Sequence, residues 1–583
     1  MPDDTARIPS RLSISLALLI LGTFAVPAPG ATYYVDGQSP EASDDHSGTA
    51  QAPWKTVSRA AGAEELRPGD TVIIRAGVYR EDVEVTVSGE PGRPITFAAA
   101  PHARVVLKGS EPVRGTWTRM GGQGEVEEPY PNAFADVWKI ELGEDFFIDP
   151  MFEHSYRDKS RRWVSQVFVD ETRHLQRIGP DPIYPNEPYL QLTTVGRGLA
   201  DLIQDSFFFD ASTQTLYVKM AGEPGWHVIE VGVRGFVLRG DELHDLVFRG
   251  LEMRHNRQPG GQWSIVSFGN CQRVTLERLR VYQADFCGLG VGRSKDCTIR
   301  ECDLSYNGNT GLGMGECEDC LVERCTLLAN NYRRFHPGWH AGGMKCIPGN
   351  VRCTVRDCEV AYNVNSDGIW FDCENADVRI VGNVSHHNDG SGIFFEINQG
   401  GGVIADNLVY ANRGRGIYIS GSQKTWVVHN TVAFNHGGIV CMPRGADWPL
   451  EDVHVRGNLF LANRLAADGF ARGADLTLYM GADESPQRTV TGNHSDDNVF
   501  STASWTPSMR HSWNPDNTLA QWQERFQEDL HSRLLPVAAE RHGTGFRLVP
   551  CDGLNLGGQL PDHLKKLFAE SNVVGSSRTT WPE

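Results

Sequence analysis

Residues 368–396 read GIWFDCENADVRIVGNVSHHNDGSGIFFE, and they hold one phrase twice: Gly-Ile-Trp-Phe-Asp from Gly368 and Gly-Ile-Phe-Phe-Glu from Gly392, 24 residues later. After another 24 residues comes Gly-Ile-Tyr-Ile-Ser from Gly416, followed by Gly-Ile-Val-Cys-Met from Gly438. Upstream the slot holds Gly-Leu-Gly-Val-Gly from Gly288, Gly-Leu-Gly-Met-Gly from Gly311 and Gly-Met-Lys-Cys-Ile from Gly343. One short strand plus turns per repeat of this length is the pattern of a solenoid.

Successive residues of a strand face opposite sides. The second position of the phrase holds Leu289, Leu312, Met344, Ile369, Ile393, Ile417 and Ile439, and the fourth Val291, Met314, Cys346, Phe371, Phe395, Ile419 and Cys441. Both columns are apolar, so both face the core. The third and fifth positions then face outward, and there stand Lys345, Trp370, Asp372, Phe394, Glu396, Tyr418 and Ser420. Two carboxylates, a lysine and three aromatics on one outer wall mark a site.

The chain is 583 residues long, which suggests more than one unit. Its formal charge of −18 argues against a nucleic-acid partner. Arg7 and Arg11 precede the apolar run Leu12 to Val26, with Ala28, Gly30 and Ala31 after it. Residues 1–31 therefore read as a secretory signal peptide, and the protein as secreted or periplasmic. No later segment has the length and apolarity of a membrane span.

Residues 32–114 read as an N-terminal cap and first coils. PWKTVSRAAGAEEL (53–66) fits a short amphipathic helix that blunts the open end, ahead of the strand-like TVIIRA. Across 115–235 the register is lost, and short alternating segments such as WVSQVFVD (163–170) and TLYVKM (215–220) point to an inserted β-sandwich. The coils resume over 236–500. Residues 501–583 read as a C-terminal cap, with a helix expected over 518–532.

Two ladders run through the coils. One reads Cys302, Cys325, Cys358, Asn383, Asn407, Asn430, Asn458; five residues later the other reads Asn307, Asn330, Asn363, Asn388, Asn412, Asn435, Asn463. Asn suits the left-handed backbone of tight turns, and stacked Asn side chains can bond up the stack. The thirteen cysteines, among them Cys297, Cys320 and Cys353 in register, fit either a stack of small core residues or disulfides. A zinc site fits the Cys-x4-Cys ladder less well. One coil carries extra residues, YRRFHPGWH directly before Lys345, and such an insertion belongs to a loop bordering the binding face.

Stacked coils lie at the inter-strand distance, which puts the backbones of Asp372 and Glu396 about 4.8 Å apart. Carboxyl groups about 5–5.5 Å apart serve a retaining glycosidase, whereas an inverting one needs a wider gap for water. Close carboxylates push their proton affinities apart, as nucleophile and general acid require. The bland alternatives are an exposed acid pair or a calcium site, but like charges directly opposite destabilise a sheet. Trp370, Phe394 and Tyr418 would stack on a sugar ring as a platform. Lys345 would bind a sugar hydroxyl or hold Asp372 ionised. Asp367 and Glu374 flank the strand as supporting groups. His340 falls in the inserted loop, where solvent exposure is the plainer reading and substrate binding the sharper one.

The run AGGMK, GIWFD, GIFFEIN and ADN resembles the catalytic coils of glycoside hydrolase family 120, β-helix β-xylosidases with an inserted β-sandwich. The match spans roughly residues 340–420. The resemblance implies an all-β fold, a right-handed parallel β-helix of the pectate-lyase-like kind, with the inserted sandwich and helical caps. It also implies Asp372 as nucleophile and Glu396 as acid/base. Lys345, Trp370, Phe394, Tyr418, His340, Asn398 and Gln399 are the expected substrate-binding residues. Cys373 stands where that family has an aromatic, and Gln399 where it has a histidine.

The expected activity is hydrolysis of plant or algal oligo- or polysaccharides, β-xylosides among them. A polysaccharide lyase acting by β-elimination on uronic acid polymers is the first alternative; it would use Lys345 or an arginine as base and Asp372 and Glu396 as calcium ligands. A non-catalytic carbohydrate-binding protein is the second. No redox or nucleotide cofactor is implied, the glycosidase reading needs no metal, and the sequence leaves oligomeric state open.

Overall fold

Every coil sends strands into three long parallel sheets, because each apolar column can be buried only against the coils above and below. The computed structural model describes residues 30–548, apart from 121–135, 144–145, 148–162, 180–194, 258–262, 446, 464–473, 481–489, 504–508, 511–516 and 543–544. Residues 1–29 of the expected signal and most of the expected C-terminal cap lie outside the described residues. One sheet has 14 strands, a second 12, and the third face is built from sheets of four and eight strands. The phrase strands lie consecutively in the 12-stranded sheet: Cys287–Gly292, Thr310–Gly315, Gly342–Cys346, Asp367–Asp372, Ile393–Glu396, Arg415–Ser420 and Gly437–Met442. Their register pairs Ile369 with Ile393 with Ile417, and Asp372 with Glu396 with Ser420. The second- and fourth-position residues are buried along the single core that fills the helix.

The opening glycine of each phrase is there for space. A Cβ on Gly392 would come within 2.3 Å of Val409 Cγ1 and 2.7 Å of Asn412 Nδ2; on Gly416 it would meet Val432 and Asn435 in the same way. The glycine column leaves the asparagine column room to pass. Each Asn there is bonded up and down the stack. Asn412 Oδ1 accepts from the backbone N–H and the amide of Asn388, and its own amide donates to Asn435 Oδ1 and Ser385 O. The left-handed position is not the Asn but the residue before it: Tyr306, Ala329, Tyr362, His387, Ala411, Phe434 and Ala462 have φ between +49° and +57°. The Asn accepts the next amide down the turn while its neighbour takes the strain.

The cysteine ladder does the same work with a thiol. Cys302 Sγ donates to Leu276 O and Cys325 Sγ to Ile299 O; further along, Asn407 Nδ2 donates to Ile380 O and Asn430 Nδ2 to Ile404 O, carbonyls of the same column. One donor per coil is what the position requires. Among the described residues the twelve cysteines are free thiols, eleven of them buried.

Between Ser110 and Gly232 the chain leaves the helix for two sheets packed around their own core, which includes Val167, Val231, Phe207, Leu216 and Val218. The excursion starts at Ser110–Pro112, a few residues before the expected 115. The helix closes over it: Val83–Val85 pairs with Leu238–Asp241, and Val105–Lys108 with Glu252–Arg254.

The N-terminal helix is only Val57–Ala61, shorter than the expected 53–66, since Gly62 ends it and Pro68 follows. At the other end the coils continue beyond 500: Val499–Ser501 is followed in its sheet by Arg533–Leu535. The helix Leu519–Phe526, shorter than the expected 518–532, starts with a capping box of Thr518 and Gln521 and buries Leu519 and Trp522 in the main core.

Candidate active site

The site occupies the outer face of the 12-stranded sheet, where neighbouring coils place like positions side by side. Lys345 is in register with Trp370, Trp370 with Phe394 and Phe394 with Tyr418, while Asp372 is in register with Glu396. Lys345 Nζ donates to Asp372 Oδ2 at 2.7 Å; the lysine side chain is 1% exposed and the aspartate 22%. Burial lowers the Lys345 ammonium from its ordinary value to about 8, against the pull of Asp372. The pair is the expected ion pair. Cys373 Sγ donates to the other oxygen, Asp372 Oδ1, at 3.0 Å, and burial together with that carboxylate pushes the thiol up to about 12.

Glu396 sits in different surroundings. The Trp370 indole donates to its Oε2 at 3.0 Å, and Arg444 forms an ion pair with it. Its side chain is 3% exposed, whereas Arg444 is 52% exposed. Arg444 comes from the turn after Gly437–Met442, bridged to Trp448. Sequence reasoning missed it, because it stands outside the repeating phrase. One carboxylate is thus held by a buried lysine and the other by an indole and a surface arginine.

Several expected roles change. The aromatics do not form a flat platform. Trp370 and Phe394 stack at 5.1 Å, and Phe394 and Tyr418 at 4.7 Å. Lys345 Nζ covers the far face of Trp370, and Arg415 lies over Tyr418. Each ring face meets a neighbour, so the wall presents ring edges, and Trp370 and Phe394 are buried although they point outward. Asn398 is not a sugar ligand but part of a third ladder: its Oδ1 accepts from the backbone and amide of Asn375, and its amide donates to Phe371 O. Gln399 donates to Gly421 O at the margin of the site.

His340 is not exposed. It is 2% exposed, with Nδ1 2.9 Å from Asn309 Oδ1, and burial lowers its imidazole to about 3. The long loop that carries it is anchored by Phe335 against Phe286, and by Tyr332 and Arg333 bonding to Gln166 and Ser165 of the insertion. Asp367 Oδ1 accepts the Ser391 N–H at 2.5 Å, and Glu374 is exposed, so neither contacts the carboxylate pair.

Upstream of Lys345 the same face opens into a cleft of about 200 Å³, lined by Ser267, Gly292, Arg293, Gly313, His340 and Lys345 among others. Among the described residues, Asp496, Asp497 and His531 are the only group of three spaced to hold a metal ion, and Arg456 already pairs with both aspartates. No helix among the described residues is long and apolar enough to cross a membrane.

These sheets and this register define the class of fold, a right-handed parallel β-helix, and a family model described as "Right handed beta helix region" matches residues 264–435. Among solved structures, the one described as "The complex structure of XylC with xylose" superposes with a TM-score of 0.63 at 15% identity, over 89% of this chain and 89% of that one. A structure described as "Glycoside hydrolase" gives a TM-score of 0.45 at 14% identity, over 87% and 97% of the two chains. The uncharacterized protein YwoF of Bacillus subtilis (strain 168) is 41% identical over 71 residues, which is 12% of this chain and 15% of that protein. The likeness to the xylose-bound structure is a likeness of fold.

Proposed function

We propose that this protein is a carbohydrate-active enzyme, a retaining glycoside hydrolase with Asp372 as nucleophile and Glu396 as acid/base. The observation that carries the reading is the register of Asp372 against Glu396 on adjacent strands, each carboxylate with its own partners. Asp372, beside the Lys345 ammonium, attacks the anomeric carbon while Glu396 gives its proton to the departing oxygen. Glu396 then takes a proton from water, which releases the sugar with its original anomeric configuration. A guanidinium favours the ionised form of a carboxylate, so Arg444 withdraws from Glu396 for the first step, and its exposure leaves it free to do so. The structure solved with xylose supports a xylose-type glycone, and the N-terminal Arg7 to Ala31 pattern supports export from the cytoplasm.

A lyase is the second reading, favoured by the lowered Lys345 ammonium, which is poised as a base. The 2.7 Å bond from Lys345 to Asp372 weighs against it, since that bond holds the proton on the nitrogen.

The test is a panel of nitrophenyl glycosides, β-xyloside included, with wild type and Asp372→Asn. Cleavage with retained anomeric configuration by proton NMR, lost at least 1,000-fold in the variant, is the expected result. Inversion, or undiminished cleavage by the variant, refutes the assignment. Unsaturated ultraviolet-absorbing ends released from uronic acid polymers would establish the lyase.

A further inference from the structure

The floor of the cleft upstream of Lys345 includes two glycines, Gly292 and Gly313, that the fold does not need. Ser267, Gly290, Gly313 and Lys345 form one outward column, and Gly269, Gly292 and Gly315 form the other. A Cβ on Gly313 would meet nothing nearer than Leu289 O at 4.0 Å, and one on Gly292 nothing nearer than Gly315 O at 3.8 Å. Neither glycine has a left-handed φ. Glycine inside a strand destabilises it by about 0.5–1 kcal/mol relative to alanine, yet at both positions the chain leaves the space open. Gly290 is different: there a Cβ would come within 2.4 Å of Ser264 Oγ.

A second observation points to a ligand. His340 is 2% exposed and lines this cleft. Asn309 Oδ1 can only accept, so His340 Nδ1 carries the proton and Nε2 is left as an acceptor. Nε2 has no partner among the described residues, although the ring is held on its other side by Asn309 and Thr310. An imidazole nitrogen left as an acceptor on the wall of the cleft takes its hydrogen bond from whatever fills that cleft. A sugar hydroxyl is such a donor.

Three strand steps separate Ser264–Gly269 from Gly342–Cys346, about 14 Å along the helix axis and longer than one pyranose ring. The cleft lies on the Asp372 side of the carboxylate pair. Since the leaving oxygen must face Glu396, the sugars that stay on the enzyme extend toward Asp372 and into the cleft. Of the charged groups lining it, Arg293 and Glu316 have opposite signs, and Lys345 is paired with Asp372. No net cation remains for a uronate.

We propose that this cleft binds the non-reducing portion of a neutral oligosaccharide, at least two pyranose units long, so that the enzyme releases a disaccharide or longer unit rather than single terminal sugars. The proposal rests on the hydrolase reading. The test compares nitrophenyl β-xyloside with nitrophenyl β-xylobioside on wild type and on Gly313→Val, whose β-branched side chain suits a strand and fills the cleft. Wild type is expected to release xylobiose intact, with kcat/KM at least tenfold above that for the monoxyloside. Gly313→Val is expected to lose that advantage without a fall in thermal midpoint. Release of xylose first, or equal kcat/KM for the two substrates, overturns the proposal. If neither glycoside is cleaved, the hydrolase reading fails for this sugar, and calorimetry with xylose, xylobiose and xylotetraose decides the cleft separately. Tighter binding of the longer sugars by wild type than by Gly313→Val sustains it, and equal affinity for all three overturns it.

Discussion

Replacing Lys345 with methionine should make the protein more stable and less active. Burial brings the ammonium from its ordinary 10.5 to about 8 even with Asp372 pulling the other way. While both folded and unfolded chains are charged, a drop of that size works against the folded state by about 3 kcal/mol. The sign follows from proton binding. Below pH 8 both states hold the proton and the full cost is present. Between pH 8 and 10.5 the folded protein releases it first, so wild-type stability rises with pH. Above 10.5 the cost is gone.

Methionine keeps the side-chain length over Trp370 without the charge. It also leaves Asp372 without its cation; at 22% exposure that carboxylate stays partly solvated, which offsets about 1 kcal/mol of the gain. The expected net is about 1–3 kcal/mol in favour of Lys345→Met at pH 7, shrinking toward pH 10. Urea midpoints at pH 7 and pH 10, at unchanged m-value, measure it. On the hydrolase reading, kcat/KM falls at least tenfold in the same variant, because the donor that holds the Asp372 carboxylate in place is lost. A methionine variant less stable than wild type at pH 7, or a gap that widens with pH, refutes the reasoning.

Asn412→Ala should cost about 2–5 kcal/mol, because it takes the acceptor from the backbone N–H of Asn388 and the side-chain donor from the Ser385 carbonyl and Asn435 Oδ1 in a buried stack; a loss below 1 kcal/mol would show that the ladder relaxes around the gap. The native protein should show almost no thiol reactive toward an aromatic disulfide at pH 8 from the twelve described cysteines, Cys373 included, since its thiol is pushed up to about 12. All should react after unfolding, and reductant should leave the thermal midpoint unchanged.

Periodicity made the helix legible, because a 24-residue repeat with two apolar columns fixes strand direction, register and inward face together. The same register places Asp372 beside Glu396 and Lys345 one coil before Trp370. What periodicity does not carry is the environment of an outward side chain. Trp370 and Phe394 point away from the core and are nevertheless buried, because like rings in register stack on one another before they stack on anything else. His340 reads as a loop residue, yet Asn309 and Thr310 from the preceding coil hold it under cover. Asn398 looks like part of a sugar-binding phrase only until its column is extended to Asn375 and Asn350, whose bonds make it a rung. Arg444 had no signal in the sequence, since nothing in the repeat aims that turn at Glu396.

The insertion divides the helix into parts of unequal difficulty for a folding chain. Along most of the solenoid a new coil reaches only 23 residues back, as from Asn330 to Asn307. At the junction Arg104 must find Glu252, 148 residues away. Closing the longer loop costs about 1.6 kcal/mol more in chain entropy, before the sandwich's own core is counted as help. Coils from Ser264 onward can stack one at a time, whereas the first coils gain their partners only once the whole excursion has returned. A nick within the insertion should therefore leave the downstream helix standing while the N-terminal coils come away, so the terminus made first on the ribosome is the last to be secured.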